Sequence, residues 1–254
     1  MIDMHCHILP GVDDGAKDEE TSLNMLKIAQ EENIKKIIAT PHYYKGYYEN
    51  KWEDTIKNVK ILNNLAKSSN IGIELLPGVE VLADEHTVDL YNEGIIRGLN
   101  DTKYLLIEFP LMKMPKDALD IIYEIKLLGV MPVVAHPERY ISFINDPTMI
   151  NDFIDEGCLF QTNTSSITGL FGKHVKKLAE RFIECGIPSF IATDAHTTGG
   201  RSPRFSEAFE ALNKKDKNIV RSFKSNVIKL LNNEDVQFEG EKLRNKKKIF
   251  AFLR

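Results

Sequence analysis

The sequence predicts an α/β protein whose parallel strands close, or nearly close, into a barrel. Three observations predict it. Short apolar runs alternate with amphipathic helical stretches along the chain, which is the pattern of a parallel sheet. About seven such units fit within 254 residues, which suits a barrel better than an open sheet. The open doubly wound alternative would normally carry a glycine-rich phosphate loop after its first strand, and none is present.

The strands are expected at residues 2–4, 36–40, 73–77, 104–109, 131–135, 159–162 and 189–192. Helices are expected between them, at residues 19–32, 52–68, 117–128, 148–156 and 172–185. Their apolar positions recur at helical spacing, as with Leu23, Leu26 and Ile28 in the first. Gly129, Gly157 and Gly186 each follow a helical stretch and suit a C-cap before the next strand. With no internal repeat or low-complexity linker, residues 1–254 read as one domain ending in a basic tail from about 240 to 254. The tail carries Lys242, Arg244, Lys246, Lys247, Lys248 and Arg254. A solvated end is the simpler reading; contact with an acidic partner or membrane surface is the other.

Composition narrows the function. A hydrophobic fraction of 43% and a charged fraction of 28% are those of an ordinary globular protein. The net charge of -4 argues against a nucleic-acid binder. No apolar run approaches the ~20 residues of a membrane-spanning helix. The opening MIDMHCHILPG has neither a basic n-region nor a long apolar h-region, so a cytoplasmic location is expected. Cys6, Cys158 and Cys185 form no C-x-x-C pair and are too scattered for a disulfide framework.

The chemistry lies at the strand ends. His5, His7, Asp13 and Asp14 follow the first strand, His42 the second and Glu80 the third. Glu108 and His136 end the next two, and Asp194 and His196 follow the last. Only the strand at 159–162 lacks such a residue. In a parallel barrel the carboxyl ends of the strands meet at one face, where active sites are built. His5 and His7, two apart on a strand, point the same way and reach one ion. Asp194 and His196 repeat that spacing. His86 and His174 fall elsewhere and read as surface or packing residues.

Five histidines and four carboxylates at converging ends are a metal site, because buried charges without partners are too costly for mere packing. Nine nitrogen and oxygen ligands without a thiolate suit two or three ions, with manganese, iron or zinc as candidates. Four carboxylates against three divalent ions leave about +2, which attracts a phosphate dianion and its transition state. A water bridging two such ions loses a proton near neutral pH, with a pKa of roughly 7, and is the expected nucleophile. Arg139 and Arg201 can each hold phosphate oxygens as bidentate donors. A thiolate phosphatase mechanism is excluded. It needs an arginine six positions after its cysteine, and Val12, Thr164 and Ile191 stand there instead. Cys6 should alternate away from the histidines and pack in the wall.

The stretches MIDMHCHILPGVDDGA, IIATPHYYKGYY, LPGVE, LNDTKYLLIEFP, PVVAHPERY and ATDAHTTGGR resemble the polymerase-and-histidinol-phosphatase (PHP) superfamily. Within it they closely resemble the bacterial metal-dependent tyrosine phosphatases of capsule and exopolysaccharide clusters, in matching order over residues 1–201. The resemblance implies a distorted, TIM-like barrel of seven β/α units holding three metal ions, usually manganese. By motif, His5, His7, Glu80 and Asp194 would hold the first ion. Glu80, Glu108 and His136 would hold the second, and Asp14, His42 and His196 the third. Other branches often have a histidine where this chain has Asp14, and the extra oxygen favours manganese over zinc. The resemblance further implies that Arg139 and Arg201 bind the substrate phosphate. It also implies a substrate in the phosphotyrosine tail of a bacterial tyrosine autokinase that controls polysaccharide export. A small phosphomonoester such as histidinol phosphate is the alternative within the superfamily. Where some relatives carry basic residues after the second strand's histidine, this chain has Tyr43, Tyr44, Tyr47 and Tyr48. Loop packing is the simpler reading for them; stacking on a phosphotyrosine ring is the other.

Overall fold

A computed structural model describes residues 1–244. Of the basic tail, Lys242 and Arg244 fall within that range, while Lys246, Lys247, Lys248 and Arg254 lie outside the described residues.

Seven staves run parallel around the molecule. The first is β1 (Ile2–Cys6), beside β2 (Lys36–Ala39) and β5 (Glu74–Pro77). The second sheet takes β10 (Phe190–Ala192), β9 (Leu159–Asn163), β8 (Met131–Ala135), β7 (Tyr104–Glu108) and β6 (Glu80–Leu82), in that order. It continues through β3 (His42–Tyr44) to β4 (Tyr48–Glu49), which pairs antiparallel with β3 as a short hairpin. Two staves are broken in the middle: β2 runs on into β3 past Thr40-Pro41, and β5 into β6 past Gly78-Val79. Pro41 has no N–H for a ladder. At Gly78 a Cβ would lie 2.7 Å from Ile38 Cγ2, so only glycine lets the two staves approach.

The seam between β1 and β10 is held by a single bridge, Cys6 to Ala195, rather than a full ladder. Asp194 N–H donates to His5 O at 2.9 Å and His7 N–H to Ala195 O at 2.8 Å. Asp3, fully buried, accepts from Thr193 N–H at 3.0 Å and from its hydroxyl at 2.5 Å. The result is a distorted barrel, as the sequence predicts. All seven expected strands occur within a residue or two of their expected positions.

The helices pack outside the staves. They include α1 (Glu19–Glu31), α2 (Trp52–Ser68), α3 (Thr87–Asn92), α4 (Ala118–Leu127), α5 (Ile141–Asn145), α6 (Ile150–Asp155), α7 (Thr164–Thr168) and α8 (Lys173–Glu184). Asp18 caps α1, accepting from Thr21 N–H at 2.8 Å. Gly129, Gly157 and Gly186 adopt positive φ of 74°, 75° and 66° after α4, α6 and α8, as C-caps require. Two further helices, α9 (Ser206–Lys215) and α10 (Lys217–Leu231), follow the last strand, where the strand–helix alternation no longer signals them.

Inward-facing columns change character along the staves. Met4, Ile38, Tyr104, Leu106, Val133, Leu159 and Phe190 form an apolar interior layer, plugged from below by Val227 and Leu230 of α10. One further step toward the carboxyl end, the same columns carry Glu108 after Leu106, Gln161 after Leu159 and Asp194 after Ala192. Apolar filling holds the barrel, and polar groups are confined to one mouth. On β1 the register shifts between Asp3 and Cys6. Cys6 is buried in the core between the sheet and α1, away from the mouth, as alternation predicts.

Candidate metal centre

All nine candidate ligands converge at the carboxyl mouth. Ligand atoms of His5, His7, Glu80 and Asp194 lie within 4.8 Å of one another, and so do those of His7, Asp14, His42 and His196. A third such group contains His42, Glu80 and Glu108. His136 stands beside these, its Nε2 3.1 Å from Glu80 Oε1 and 3.7 Å from Glu108 Oε2. The groupings therefore differ in detail from those the resemblance implies. His7 and His42 each face two groups, and His136 sits at the edge of the third. His42 faces Glu80 and Glu108 through Nδ1, at 3.3 and 3.2 Å, and Asp14 through Nε2, at 3.4 Å. His86 and His174 lie outside all three groups.

Local structure explains the convergence. His136 directly after β8 and Asp194 two residues after β10 have φ of 36° and 50°, a left-handed conformation uncommon for residues other than glycine. The loop after β1 folds back so that Ala16 N–H donates to His7 O at 3.0 Å. Gly15 makes this possible, because a Cβ there would stand 2.2 Å from His7 O. The fold-back brings Asp13 and Asp14 to the mouth with different tasks. Asp14 faces His42 and His196. Asp13 Oδ2 instead accepts from His7 Nδ1–H at 2.8 Å and from His42 N–H at 3.0 Å, and Oδ1 from Gly15 N–H at 2.9 Å.

The donor set tests itself for a cation. Because His7 Nδ1–H donates to Asp13, the neutral His7 ring presents its lone pair on Nε2. His196 Nδ1 donates to Asp194 O at 3.0 Å, which bares its Nε2 in the same way. These nitrogens look at carboxylates: His7 Nε2 is 3.0 Å from Glu80 Oε2 and 3.5 Å from Asp194 Oδ1. Both of those oxygens are buried and accept no hydrogen bond. Lone pairs from imidazoles and carboxylates aimed at one point are unfavourable unless a cation lies among them. The residues fit divalent cations, and the absence of a thiolate keeps the set on the harder side.

Electrostatics agree. Burial and the adjacent Glu80 carboxylate push Glu108 up to about 8. Burial alone would lower His5 and His7, but Glu80 and Asp194 beside the first and Asp13 beside the second reverse the sign and raise both. Burial and Arg139 lower His136 to about 4, and burial and His7 lower His196 to about 4. Against its burial, His5 and Arg201 hold Asp194 well below the usual carboxylate range.

Arg139 and Arg201 both reach this carboxylate, with Arg139 Nη1 at 2.9 Å and Arg201 Nη2 at 2.7 Å from Asp194 Oδ2. Both guanidinium groups lie over the Phe171 ring, at 4.6 and 5.9 Å from its centroid. The mouth opens into a cleft of about 370 Å³ that Tyr48, Leu82, Phe109 and Leu111 line beside the ligands. Of the four tyrosines, Tyr43 is buried in the wall and Tyr47 is 75% exposed and stacked on Tyr44. Tyr48 lies parallel to the His42 ring at 6.1 Å. The sequence reading missed Asp13 as a partner of His7, and it missed Gln161 and Asn163, which end the one strand without an ionisable residue. Their two-residue spacing on β9, matching that of His5 and His7, was the available signal.

A profile for capsular polysaccharide synthesis proteins, CpsB/CapC, matches residues 1–232. The chain belongs to the CpsB/CapC family. Among its relatives, tyrosine-protein phosphatase YwqE of Bacillus subtilis strain 168 is 35% identical over 255 residues, 100% of both chains. Tyrosine-protein phosphatase CpsB of Streptococcus agalactiae serotype III is 34% identical over 217 residues, 84% of this chain and 89% of that one. A crystal structure from work on YwqE of Bacillus subtilis and CpsB of Streptococcus pneumoniae, described as metal-dependent tyrosine phosphatases, superposes with a TM-score of 0.92. It is 33% identical and covers 96% of this chain and 100% of that one. Histidinol phosphate phosphatase of Lactococcus lactis shares the fold at a TM-score of 0.51 and 14% identity, covering 86% and 93% of the two chains. This last likeness concerns the fold alone. No helix among the described residues of this CpsB/CapC protein is long and apolar enough to cross a membrane.

Proposed function

We propose that this CpsB/CapC protein is a metal-dependent protein-tyrosine phosphatase. Its substrate is the phosphotyrosine tail of a bacterial tyrosine autokinase, and the reaction, in the cytoplasm, regulates capsule or exopolysaccharide synthesis. One observation carries the reading: nine imidazole and carboxylate ligands, two arginines and an aromatic-lined cleft meet at a single mouth. The names of the full-length relatives support it.

In this reading the nine residues hold three divalent ions, with manganese favoured over iron or zinc. Such ions supply polarisation of phosphoryl oxygens and acidification of water to a pKa of roughly 7. Arg139 and Arg201, aligned over Phe171 and anchored on Asp194, turn their remaining N–H groups to the phosphate oxygens. The substrate ring lies against Tyr48, Phe109 and Leu111. His136 and His196, held at about 4, are neutral at pH 7 and offer lone pairs rather than protons. A phenol leaves readily, with a pKa of about 10, so a strong general acid is not required.

The test is turnover of a phosphotyrosine peptide by protein loaded with Mn2+. Chelation is expected to lower the rate on the order of 10³-fold, and histidinol phosphate to be a much poorer substrate. An undiminished rate after complete metal removal would overturn the reading; preference for histidinol phosphate would replace the substrate.

A further inference from the structure

We infer that Gln161 and Asn163 are positioning residues, two neutral amides that fix the proton of His5 on Nδ1 and aim its Nε2 lone pair into the cation site. The inference rests on the metal-centre reading above. It concerns β9, the one stave that brings no ionisable residue to the mouth.

The hydrogen-bond chain can be read outward from a group whose role is certain. Arg139 and Arg201 both donate to Asp194 Oδ2, so that oxygen is an acceptor. Asn163 Nδ2 lies 2.6 Å from that oxygen and therefore donates. That orientation turns Asn163 Oδ1 toward Gln161 Nε2, which donates to it at 2.8 Å. Gln161 must then present Oε1 to the His5 ring, 2.8 Å from Nδ1. An amide oxygen cannot donate, so the neutral His5 ring carries its one proton on Nδ1 and leaves Nε2 bare. That bare nitrogen lies 3.1 Å from His7 Nε2, 3.1 Å from Glu80 Oε2 and 3.4 Å from Asp194 Oδ1. One proton order along four side chains thus sets the tautomer of one ligand from the charge of another.

Burial makes the chain necessary. Gln161, Asn163 and His5 are fully buried, so water cannot replace a missing partner. Glu138, also fully buried, anchors the far end by accepting Asn163 N–H at 3.0 Å. His5 and His7 both face Glu80 and Asp194 through Nε2, and each has an oxygen acceptor behind Nδ1: the Asp13 carboxylate for His7 and the Gln161 amide for His5. Partners of this kind behind a ligating histidine are typically worth 10- to 100-fold in metal affinity.

The experiment titrates Mn2+ into chelator-stripped protein by calorimetry, comparing wild type with Gln161→Met and Gln161→Glu. Methionine matches glutamine in length but offers no acceptor worth the name, and glutamate restores the acceptor for His5 Nδ1–H. Gln161→Met is expected to weaken the binding of at least one ion about 10- to 100-fold. Gln161→Glu is expected to regain at least half of that loss on a logarithmic scale. Wild-type titration curves from Gln161→Met would overturn the inference. So would equal losses in the two variants, which would mean that the side chain merely fills space. Should Gln161→Met not fold, Asn163→Leu cuts the same chain one link on and must show the loss. A wild type that binds no Mn2+ would instead remove the metal-centre reading beneath it.

Discussion

At the scale of single residues the site is a set of proton-bearing groups arranged to give their protons up. Glu108, at about 8 against an ordinary 4.5, and His5 and His7, both raised, must be deprotonated before they can ligate. Proton and metal therefore compete. For the metal-free fold, a raised carboxylate means that the native state binds more protons than the unfolded chain. Glu108 thus removes stability as pH climbs from about 4.5 to about 8. His136 and His196, lowered to about 4 from 6.5, have the opposite sign and cost stability as pH falls through that window. The increase in Tm on adding Mn2+ is expected to grow between about pH 6 and pH 8, because the competing protons leave over that range. Calorimetric melts at fixed Mn2+ measure it; an increase that stays flat or shrinks with pH contradicts the assignment of Glu108 and the histidines as ligands.

At the scale of elements, the helices divide into those that cover the staves and one that stops the barrel. α10 sends Val227 and Leu230 into the apolar layer beneath the site, and Asn226 Nδ2 ties it to Ser189 O at the start of β10 at 3.0 Å. Leu230 is completely buried. Replacing it with alanine should leave a cavity that costs about 2–5 kcal/mol. Because the plug lies at the opposite end from the ligands, Mn2+ affinity should stay within about twofold while the denaturant midpoint falls. A parallel loss of Mn2+ binding would show that plug and mouth are coupled. The amphipathic pattern of residues 19–32 and 52–68 made α1 and α2 readable, and glycine marked the ends of α4, α6 and α8. The hairpin of β3 and β4 was not readable. Tyr43 and Tyr44 pair with Glu49 and Tyr48 across a tight turn, and so few residues carry no periodic signal.

At the scale of the molecule, the barrel is two sheets whose closure at β1 and β10 depends on few contacts. Asp3 is central among them, accepting from both Thr193 N–H and Thr193 Oγ1 next to Asp194. Asp3→Ala would leave those buried donors unpaired, at about 1–3 kcal/mol for each. The variant is expected to unfold at lower denaturant and to bind Mn2+ less tightly, since the seam holds His5 and Asp194 in register. Chemical denaturation and Mn2+ calorimetry check the two halves; an unchanged midpoint would mean that the seam is held elsewhere.

The order of strands and helices, and the kinds of side chain at the strand ends, were determined by the sequence itself. Both are local: alternation has a period of two or 3.6 residues, and His5, His42, Glu108, His136 and Asp194 each stand within three positions of the end of a short apolar run. Tertiary structure alone decided how those groups divide. It placed His42 in two candidate groups, set His136 at the edge of another, and turned Asp13 to the Nδ1 side of His7. It also recruited Gln161 behind His5, 156 positions away. The physical reason is that ligand geometry depends on ångström distances between staves, which are fixed by barrel closure and register and leave no periodic trace in any single stretch of chain.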